Sequence, residues 1–236
     1  MTDEAVILAG GLGTRLKDIV SDMPKSMAPV NNKPFLAYLL DYLLKNGVRR
    51  VVLSVGYMHE KILNYFHKNY KGIEIIYSIE PEPLGTGGAV ALAMKSVLSD
   101  EVFILNGDTL FKIDLKGLYD FHTKKHADIS LALRRVEDAS RYGSVSCDDN
   151  GRVTEFREKE IIPVPGLING GIYVMKKKYF DHLQLSGKFS LERDCFAKLC
   201  KESFTYGYVS ENYFLDIGIP IDYKKAQNEF KRFENR

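Results

Sequence analysis

A chain of 236 residues, 45% apolar and 27% charged, has the length and composition of one sizeable α/β domain, with little room for a second. Lys and Arg number 33 against 31 Asp and Glu, and a net charge of +2 argues against a dedicated nucleic-acid binder or membrane-surface protein. No apolar run reaches the roughly 18 residues needed to span a bilayer, and Cys147, Cys195 and Cys200 form neither a C-x-x-C pair nor a disulfide framework, so a cytoplasmic protein with reduced thiols is expected.

The chain enters a strand almost at once, so no signal peptide is expected. Ala5 to Ala9 is an apolar run with the look of a buried parallel strand. It breaks into Gly10-Gly11-Leu12-Gly13-Thr14-Arg15-Leu16. Glycines there allow unusual backbone angles and close approach of a ligand, and successive N–H groups can form an anion-binding nest. Thr14 adds a hydroxyl, and Arg15 is a permanent cation able to fork onto phosphate oxygens. Taken alone, the stretch reads equally as an ordinary glycine-rich turn. It is not a G-x-G-x-x-G dinucleotide fingerprint, because Leu16 stands at the third glycine position, and no G-x-x-x-x-G-K-[ST] run exists.

An irregular segment, Met23 to Pro29, contains Lys25. Pro34 then opens a helix whose Leu36, Leu39, Leu40, Leu43 and Leu44 recur at helical spacing, ending at Gly47. Val51 to Val55 reads as a strand, His59 to His67 as a helix, and Ile73 to Ile79 as a strand. This β-α-β-α-β order predicts right-handed crossovers and a parallel sheet. The loop Glu80 to Ala89 leads into a helix ending near Val97, and the strand Val102 to Leu105 stops at Asn106-Gly107-Asp108. Ligands of open α/β sheets bind beyond the carboxyl ends of the strands, which lines up the Gly10 loop, the Glu80 loop and Asp108 along one edge.

The second half is less regular. A helix over Leu115 to His122 and a strand over Ile129 to Leu133 precede a hairpin, Gly143 to Cys147 and Val153 to Phe156, turned by Asp148 to Gly151. Leu167 to Val174 is a strand carrying Asn169-Gly170-Gly171. Leu191 to Leu199 reads as an amphipathic helix, Tyr213 to Leu215 leads to Asp216-Ile217-Gly218, and a last helix runs from about Ile221 to Phe233. There is no internal repeat and no linker, so residues 1–236 are expected to form a single domain, a Rossmann-like mixed, mostly parallel sheet with helices on both faces. The five histidines, His59, His67, His122 and His126 among them, are expected on helix surfaces.

Together these motifs resemble the sugar-1-phosphate nucleotidylyltransferases, or nucleotide-sugar pyrophosphorylases. The G-G-x-G-T-R-L signature and the following P-K loop are matched by Gly10 to Leu16 and Pro24-Lys25. Pro83-Leu84-Gly85-Thr86, Gly107-Asp108, Glu158-Lys159, Asn169-Gly170-Gly171 and Asp216-Ile217-Gly218 follow in the same order, over nearly the whole chain. Two departures are visible: Glu160 follows Lys159 where relatives often have proline, and Ile219 precedes Pro220. The resemblance implies a GT-A-like nucleotidyltransferase fold, and the chain carries no hexapeptide repeat for a C-terminal β-helix.

It also implies attack of a sugar 1-phosphate oxygen on the α-phosphorus of a nucleoside triphosphate, with release of pyrophosphate. Such a nucleophile is already an anion, so the chemistry needs charge neutralisation and in-line positioning rather than a general base. Arg15, Lys25 and Asp108 are the implied catalytic residues, and Asp108 with Asp216 the implied ligands of Mg²⁺. As ordinary punctuation, Asp108 would be a turn or helix-capping aspartate and Asp216 an Asp-x-Gly before a helix. Leu8, Ala9, Gly10, Gly11, Gly13, Thr14, Glu80, Gly85 and Thr86 would complete the nucleotide site; Gly143, Glu158, Lys159, Asn169 and Gly171 would hold the sugar phosphate. Arg157 to Glu160 reads otherwise as a solvated charge run.

A carboxylate at Glu80 or Glu82 is an acceptor that suits the N1–H and N2–H₂ donors of guanine. The loop also resembles that of the guanylyl-transferring branch that makes GDP-mannose and GDP-heptose, which implies GTP and a manno-configured heptose 1-phosphate as substrates. Mannose 1-phosphate, or UTP, dTTP or CTP, are the alternatives within the reaction class. A non-catalytic nucleotide-binding regulator is the alternative outside it, as is a metal-dependent glycosyltransferase, although Gly107-Asp108-Thr109 lacks the paired acid of an Asp-x-Asp motif. No nucleic-acid or membrane partner is expected, and the late helices offer a surface for a homodimer.

Overall fold

The computed structural model of the chain describes residues 1–11, 16, 22–140, 142–157, 164–183, 185–197 and 203–231. The first half follows the expected alternation. Strand β1 is Glu4–Leu8; a short ribbon, β2 (Pro29–Val30) and β3 (Lys33–Pro34), leads into helix α1 (Phe35–Lys45). Then come β4 (Arg50–Val55), α2 (His59–Phe66), β5 (Asn69–Tyr70), β6 (Ile73–Ile79), α3 (Gly85–Met94), β7 (Glu101–Asn106) and β8 (Thr109–Phe111). The remainder is α4 (Leu115–Lys124), β9 (Ile129–Val136), β10 (Ser144–Cys147), β11 (Val153–Arg157), β12 (Gly166–Lys176), α5 (Lys177–His182), a π-helical turn over Leu191–Phe196, β13 (Thr205–Val209), β14 (Phe214–Asp216) and α6 (Pro220–Glu229).

Ten strands form one mixed sheet in the order β11-β10-β12-β7-β1-β4-β6-β5, with β9 on β12 and β13 on β9. Its centre, β7-β1-β4-β6, is parallel. Strand β12 then runs antiparallel to β7. Among the described residues no β-helix follows the sheet.

Alternation within the strands explains why these apolar runs are unbroken. In β1, Ala5 and Ile7 join one core while Val6 joins the other; in β7, Phe103 and Leu105 divide from Val102 and Ile104 in the same way. Both faces of the sheet are therefore covered, which demands apolar residues at every position. One core is roofed by α1, α2, α4 and α6, the other by α3, α5 and the Leu191–Phe196 turn.

Strand β12 has a register shift against β9 between Asn169 and Tyr173. Asn169 pairs with Leu133 and Tyr173 with Leu131, so β12 spends four steps where β9 spends two. Gly170 and Gly171 make this bulge feasible, since a Cβ on Gly170 would meet the Phe111 ring at 2.4 Å and Gly171 has φ +72. The bulge falls where β12 leaves β7 and reaches β10 through Ile168.

Several expectations are corrected. The helix expected over Leu191 to Leu199 is a π-helical turn over Leu191–Phe196, with Leu199 outside the described residues. Strands β8 and β13 and helix α5 have no counterpart in the sequence reading; α6 spans Pro220–Glu229, and Phe233 lies outside the described residues. His67 and His126 lie just past helix ends in left-handed conformations, with φ 51 and φ 49.

His122 is not a surface residue. It is fully buried on α4 because that face packs on β9, where its Nδ1 meets Ser130 Oγ at 2.9 Å. Its Nε2 has no hydrogen-bond partner among the described residues, and Glu101 Oε1 stands 3.7 Å away. Burial pushes the imidazole down to about 4, against the pull of Glu101. The unfolded chain thus binds a proton near pH 6.5 that the folded protein refuses until about 4, and stability present above 6.5 is lost as pH falls through that window. The urea midpoint, measured between these limits, is expected to fall less steeply in His122→Gln than in the wild type.

Candidate functional site

The carboxyl ends of β1 and β7 are drawn together by backbone. Gly107 N donates to Leu8 O at 2.9 Å, and a Cβ on Gly107 would lie 2.4 Å from that oxygen. Only glycine lets the loop after β7 settle this closely on β1. Beyond these ends opens a cleft of about 420 Å³ lined by Leu8, Ala9, Gly10, Gly11, Lys25, Ser26, Glu80, Pro83, Gly85, Thr86, Ala89, Asn106, Gly107 and Asp108. Nine of the sequence-expected nucleotide-site residues are here, and Glu82 is not.

Lys25 reaches the cleft from a single tight turn, Lys25–Met27, closed by Met27 N to Pro24 O at 2.8 Å and fastened by buried Ser26, whose Oγ donates to Ala9 O at 3.3 Å. Its ammonium donates to Asp108 Oδ2 and stands 3.9 Å from Asp216 Oδ1. Asp216 arrives from 108 positions later because β14 pairs antiparallel with β8, placing Asp216 opposite Thr109; Ile217 N also donates to Asp108 O at 2.9 Å. The second acid thus comes from a distant strand end, which an Asp-x-Asp search misses.

Asp216 also does the local work of an Asp-x-Gly turn, accepting from Gly218 N at 2.6 Å. Burial and the neighbouring Asp108 carboxylate push Asp216 up to about 6, with Lys25 and the Gly218 N–H opposing them. Two acids held this close to one lysine repel each other, so the charged form costs folding free energy at neutral pH. The raised acid contributes stability below pH 3.8 that is lost as pH rises through about 6. Asp216→Asn is therefore expected to melt higher than the wild type at pH 7, by about 2–4 °C per kcal/mol relieved, and a calorimetric scan checks it.

Glu80 follows β6 and leans over Gly10, where a Cβ would meet Glu80 Oε1 at 2.6 Å. Its Oε2 accepts from Leu84 N at 3.0 Å, which shapes the loop; its Oε1 has a long contact, 3.5 Å, from Ser54 Oγ. Burial raises its pKa, with the Leu84 and Ser54 donors opposing. Asn106, which sequence reading left as a strand end, also lines the cleft, and its buried Oδ1 has no hydrogen-bond partner among the described residues.

The glycine-rich run after Glu80 is largely a packing device. Gly85 has φ +73, and a Cβ there would lie 2.6 Å from Phe189 O; on Gly87 it would strike the Phe189 ring. Gly87 N donates to Phe189 O at 3.0 Å, so this first-turn N–H of α3 is committed to protein. Thr86 Oγ is likewise engaged, donating to Glu192 Oε2 at 2.7 Å and accepting from Leu191 N at 2.9 Å.

On the other side of Asn106 lies the β12 bulge. The β12–β7 register sets Gly171 beside Asn106, whose Nδ2 would be 2.8 Å from a Cβ on Gly171. Asn169 Oδ1 accepts from Gly171 N at 3.0 Å, and Gly143 O accepts from Asn169 N at 3.2 Å. Gly143, Asn169 and Gly171 are thus brought together next to the cleft. Gly13, Thr14, Arg15, Glu158 and Lys159 lie outside the described residues.

Residues 4–232 match the nucleotidyl transferase family. A D-glycero-alpha-D-manno-heptose 1-phosphate guanylyltransferase of Aneurinibacillus thermoaerophilus is 49% identical over 98% of this chain and 99% of its own length. One of the same name from Campylobacter jejuni is 46% identical over 93% of this chain and 96% of its own. The crystal structure of HddC from Yersinia pseudotuberculosis complexed with GMP-PN is similar at a TM-score of 0.86 and 38% identity, covering 96% of this chain and 99% of that one.

Proposed function

The chain belongs to the nucleotidyl transferase family, and we propose that it transfers GMP from GTP to D-glycero-alpha-D-manno-heptose 1-phosphate, releasing pyrophosphate and forming a GDP-sugar. The observation that carries this reading is the convergence of Glu80, Lys25, Asp108 and Asp216 at one sheet edge, together with near full-length similarity to two enzymes so named.

The roles follow from position. Glu80, half-buried and short of donors on Oε1, receives guanine N1–H and N2–H₂. Uracil or thymine would leave that carboxylate unpaired, and unpaired polar groups in a dry pocket discriminate strongly. Lys25 supplies positive charge beside the α-phosphate, and Arg15 acts with it on the triphosphate. Gly143, Asn169 and Gly171, on the far side of Asn106, orient the sugar, with Glu158 and Lys159 on its hydroxyls and phosphate. Two cores against the two faces of one sheet support treating 1–236 as one catalytic domain.

The acids fit a divalent cation. Asp108 and Asp216 are hard oxygen donors, and after burial it is the nearness of Asp108 that raises the pKa of Asp216. Two carboxylates are what Mg²⁺ commonly takes from protein, with waters and phosphate oxygens filling its other positions. When bound by them, Mg²⁺ would supply charge neutralisation at the reacting phosphates. Among the described residues there is no group of three metal-ligating side chains and no helix long and apolar enough to cross a membrane.

A matrix of nucleoside triphosphates against sugar 1-phosphates, followed by pyrophosphate release, tests the reading. GTP with the heptose 1-phosphate is expected to give the highest kcat/KM, with weak turnover of mannose 1-phosphate. Preference for UTP, dTTP or CTP would overturn the base assignment. Glu80→Gln retains an oxygen for Leu84 N–H but loses the charge, so KM for GTP should rise about 10–100-fold, the loss of a charged hydrogen bond.

A further inference from the structure

The segment at Phe189 is docked on the start of α3 by backbone. Phe189 N donates to Leu84 O and Gly87 N to Phe189 O, both at 3.0 Å. Ser190 caps the π-helical turn, its Oγ accepting from Arg193 N at 3.2 Å and its N–H donating to Asp194 Oδ2 at 2.8 Å. This framework brings Glu192 beside Thr86 without calling on the bond between their side chains. That bond is nonetheless made: Glu192 Oε2 accepts from Thr86 Oγ at 2.7 Å and from Ser190 Oγ at 3.0 Å. Thr86 lines the cleft and Glu192 stands behind it.

A hydroxyl has one proton to give and two lone pairs to accept with. The Thr86 proton goes to Glu192, because a carboxylate only accepts, and one Thr86 lone pair takes Leu191 N–H at 2.9 Å. The second lone pair has no partner among the described residues. Toward a ligand in the cleft, Thr86 Oγ is therefore an acceptor. Without the carboxylate its proton is free to swing to the ligand side, where it would face a donor.

We propose that Glu192 is a positioning residue for the nucleotide: it holds the Thr86 proton, so that Thr86 Oγ stays an acceptor for an N–H or O–H of the nucleoside. The inference rests on the reading of the nucleotide as GTP. With guanine N1–H and one N2 hydrogen taken by Glu80, the nucleoside donors left for Thr86 are the other N2 hydrogen and the ribose hydroxyls. Glu80 and Thr86 then present acceptors from the two ends of one loop.

Steady-state kinetics of Glu192→Ala and Glu192→Gln test this, with GTP, ITP and dideoxy-GTP at saturating sugar 1-phosphate. ITP lacks the N2 amine, and dideoxy-GTP lacks the ribose hydroxyls. In Glu192→Ala, KM for GTP should rise about tenfold, one hydrogen bond lost, while KM for the sugar 1-phosphate stays within about twofold of wild type. With the analogue that lacks the donor Thr86 accepts, the rise should shrink to about twofold or less, so ITP identifies the amine and dideoxy-GTP the ribose. Glu192→Gln keeps an oxygen toward Thr86 and Ser190, and its KM for GTP should lie within about twofold of wild type. If Glu192→Ala does not fold, Thr86→Val removes the same acceptor and must show the same dependence on the analogue. An equal rise with all three nucleotides, a loss in Glu192→Gln as large as in Glu192→Ala, or unchanged GTP kinetics in Glu192→Ala would overturn the proposal and leave the functional reading standing. A wild-type protein that does not use GTP would overturn that reading, and this inference with it.

Discussion

The arrangement turns on one ammonium group held between two acids. Lys25 donates to Asp108 and lies 3.9 Å from Asp216, and each of the three reaches that point by a different device. Asp108 stands just past β7, where the parallel sheet ends. Lys25 is carried by a turn bolted to Ala9 O by Ser26. Asp216 is brought in by a ribbon of only three residue pairs, β8 with β14. Burial first, and then the facing Asp108 carboxylate, make Asp216 hold its proton to a higher pH than a free aspartate, and Lys25 opposes both.

The two halves of the chain meet over the same edge. The first half supplies the residues that line the cleft, from Leu8 to Asp108, while the second packs behind them, the β12 bulge against Asn106 and the segment at Phe189 against the start of α3. Glycines permit both contacts. Gly107 lets β7 turn onto β1, and Gly85 and Gly87 let Phe189 seat itself on the first turn of α3. Because that seating uses the Gly87 N–H and the Thr86 hydroxyl, the base side of the cleft is rigidified by protein contacts.

Much of this was legible in the sequence, for physical reasons. Strands covered on both faces must be apolar at every position, so β1, β4 and β7 stood out as runs, and their ends located Gly10 and Asp108. The carboxyl-edge rule then placed the Glu80 loop beside them. What escaped has a common cause: it depends on contacts between remote segments. The three-residue strands β8 and β14 carry no periodicity, so nothing local announces that Asp216 faces Thr109. The β12 bulge is encoded by Gly170-Gly171, but a glycine pair does not say which strand it slips against. Thr86 was read as a nucleotide-site residue and does line the cleft, but nothing local showed that its hydroxyl also bonds Glu192, 106 positions away. His122 was misjudged because a helix with charged neighbours gave no sign that this face packs on Ser130.

The central claim is that Asp108 and Asp216 form the cation seat of a phosphoryl-transfer site, with Lys25 as the protein's own positive charge beside it. Asp108→Asn isolates that claim, since it removes one charge from the pair at nearly constant shape. The decisive measurement is pyrophosphate release as a function of Mg²⁺ concentration for this variant and the wild type, with folding monitored by circular dichroism. The account predicts that wild-type turnover vanishes in excess chelator and that Asp108→Asn, folded, loses kcat by orders of magnitude at every Mg²⁺ concentration. Undiminished wild-type turnover in chelator, or a variant with the wild-type Mg²⁺ response, would contradict it.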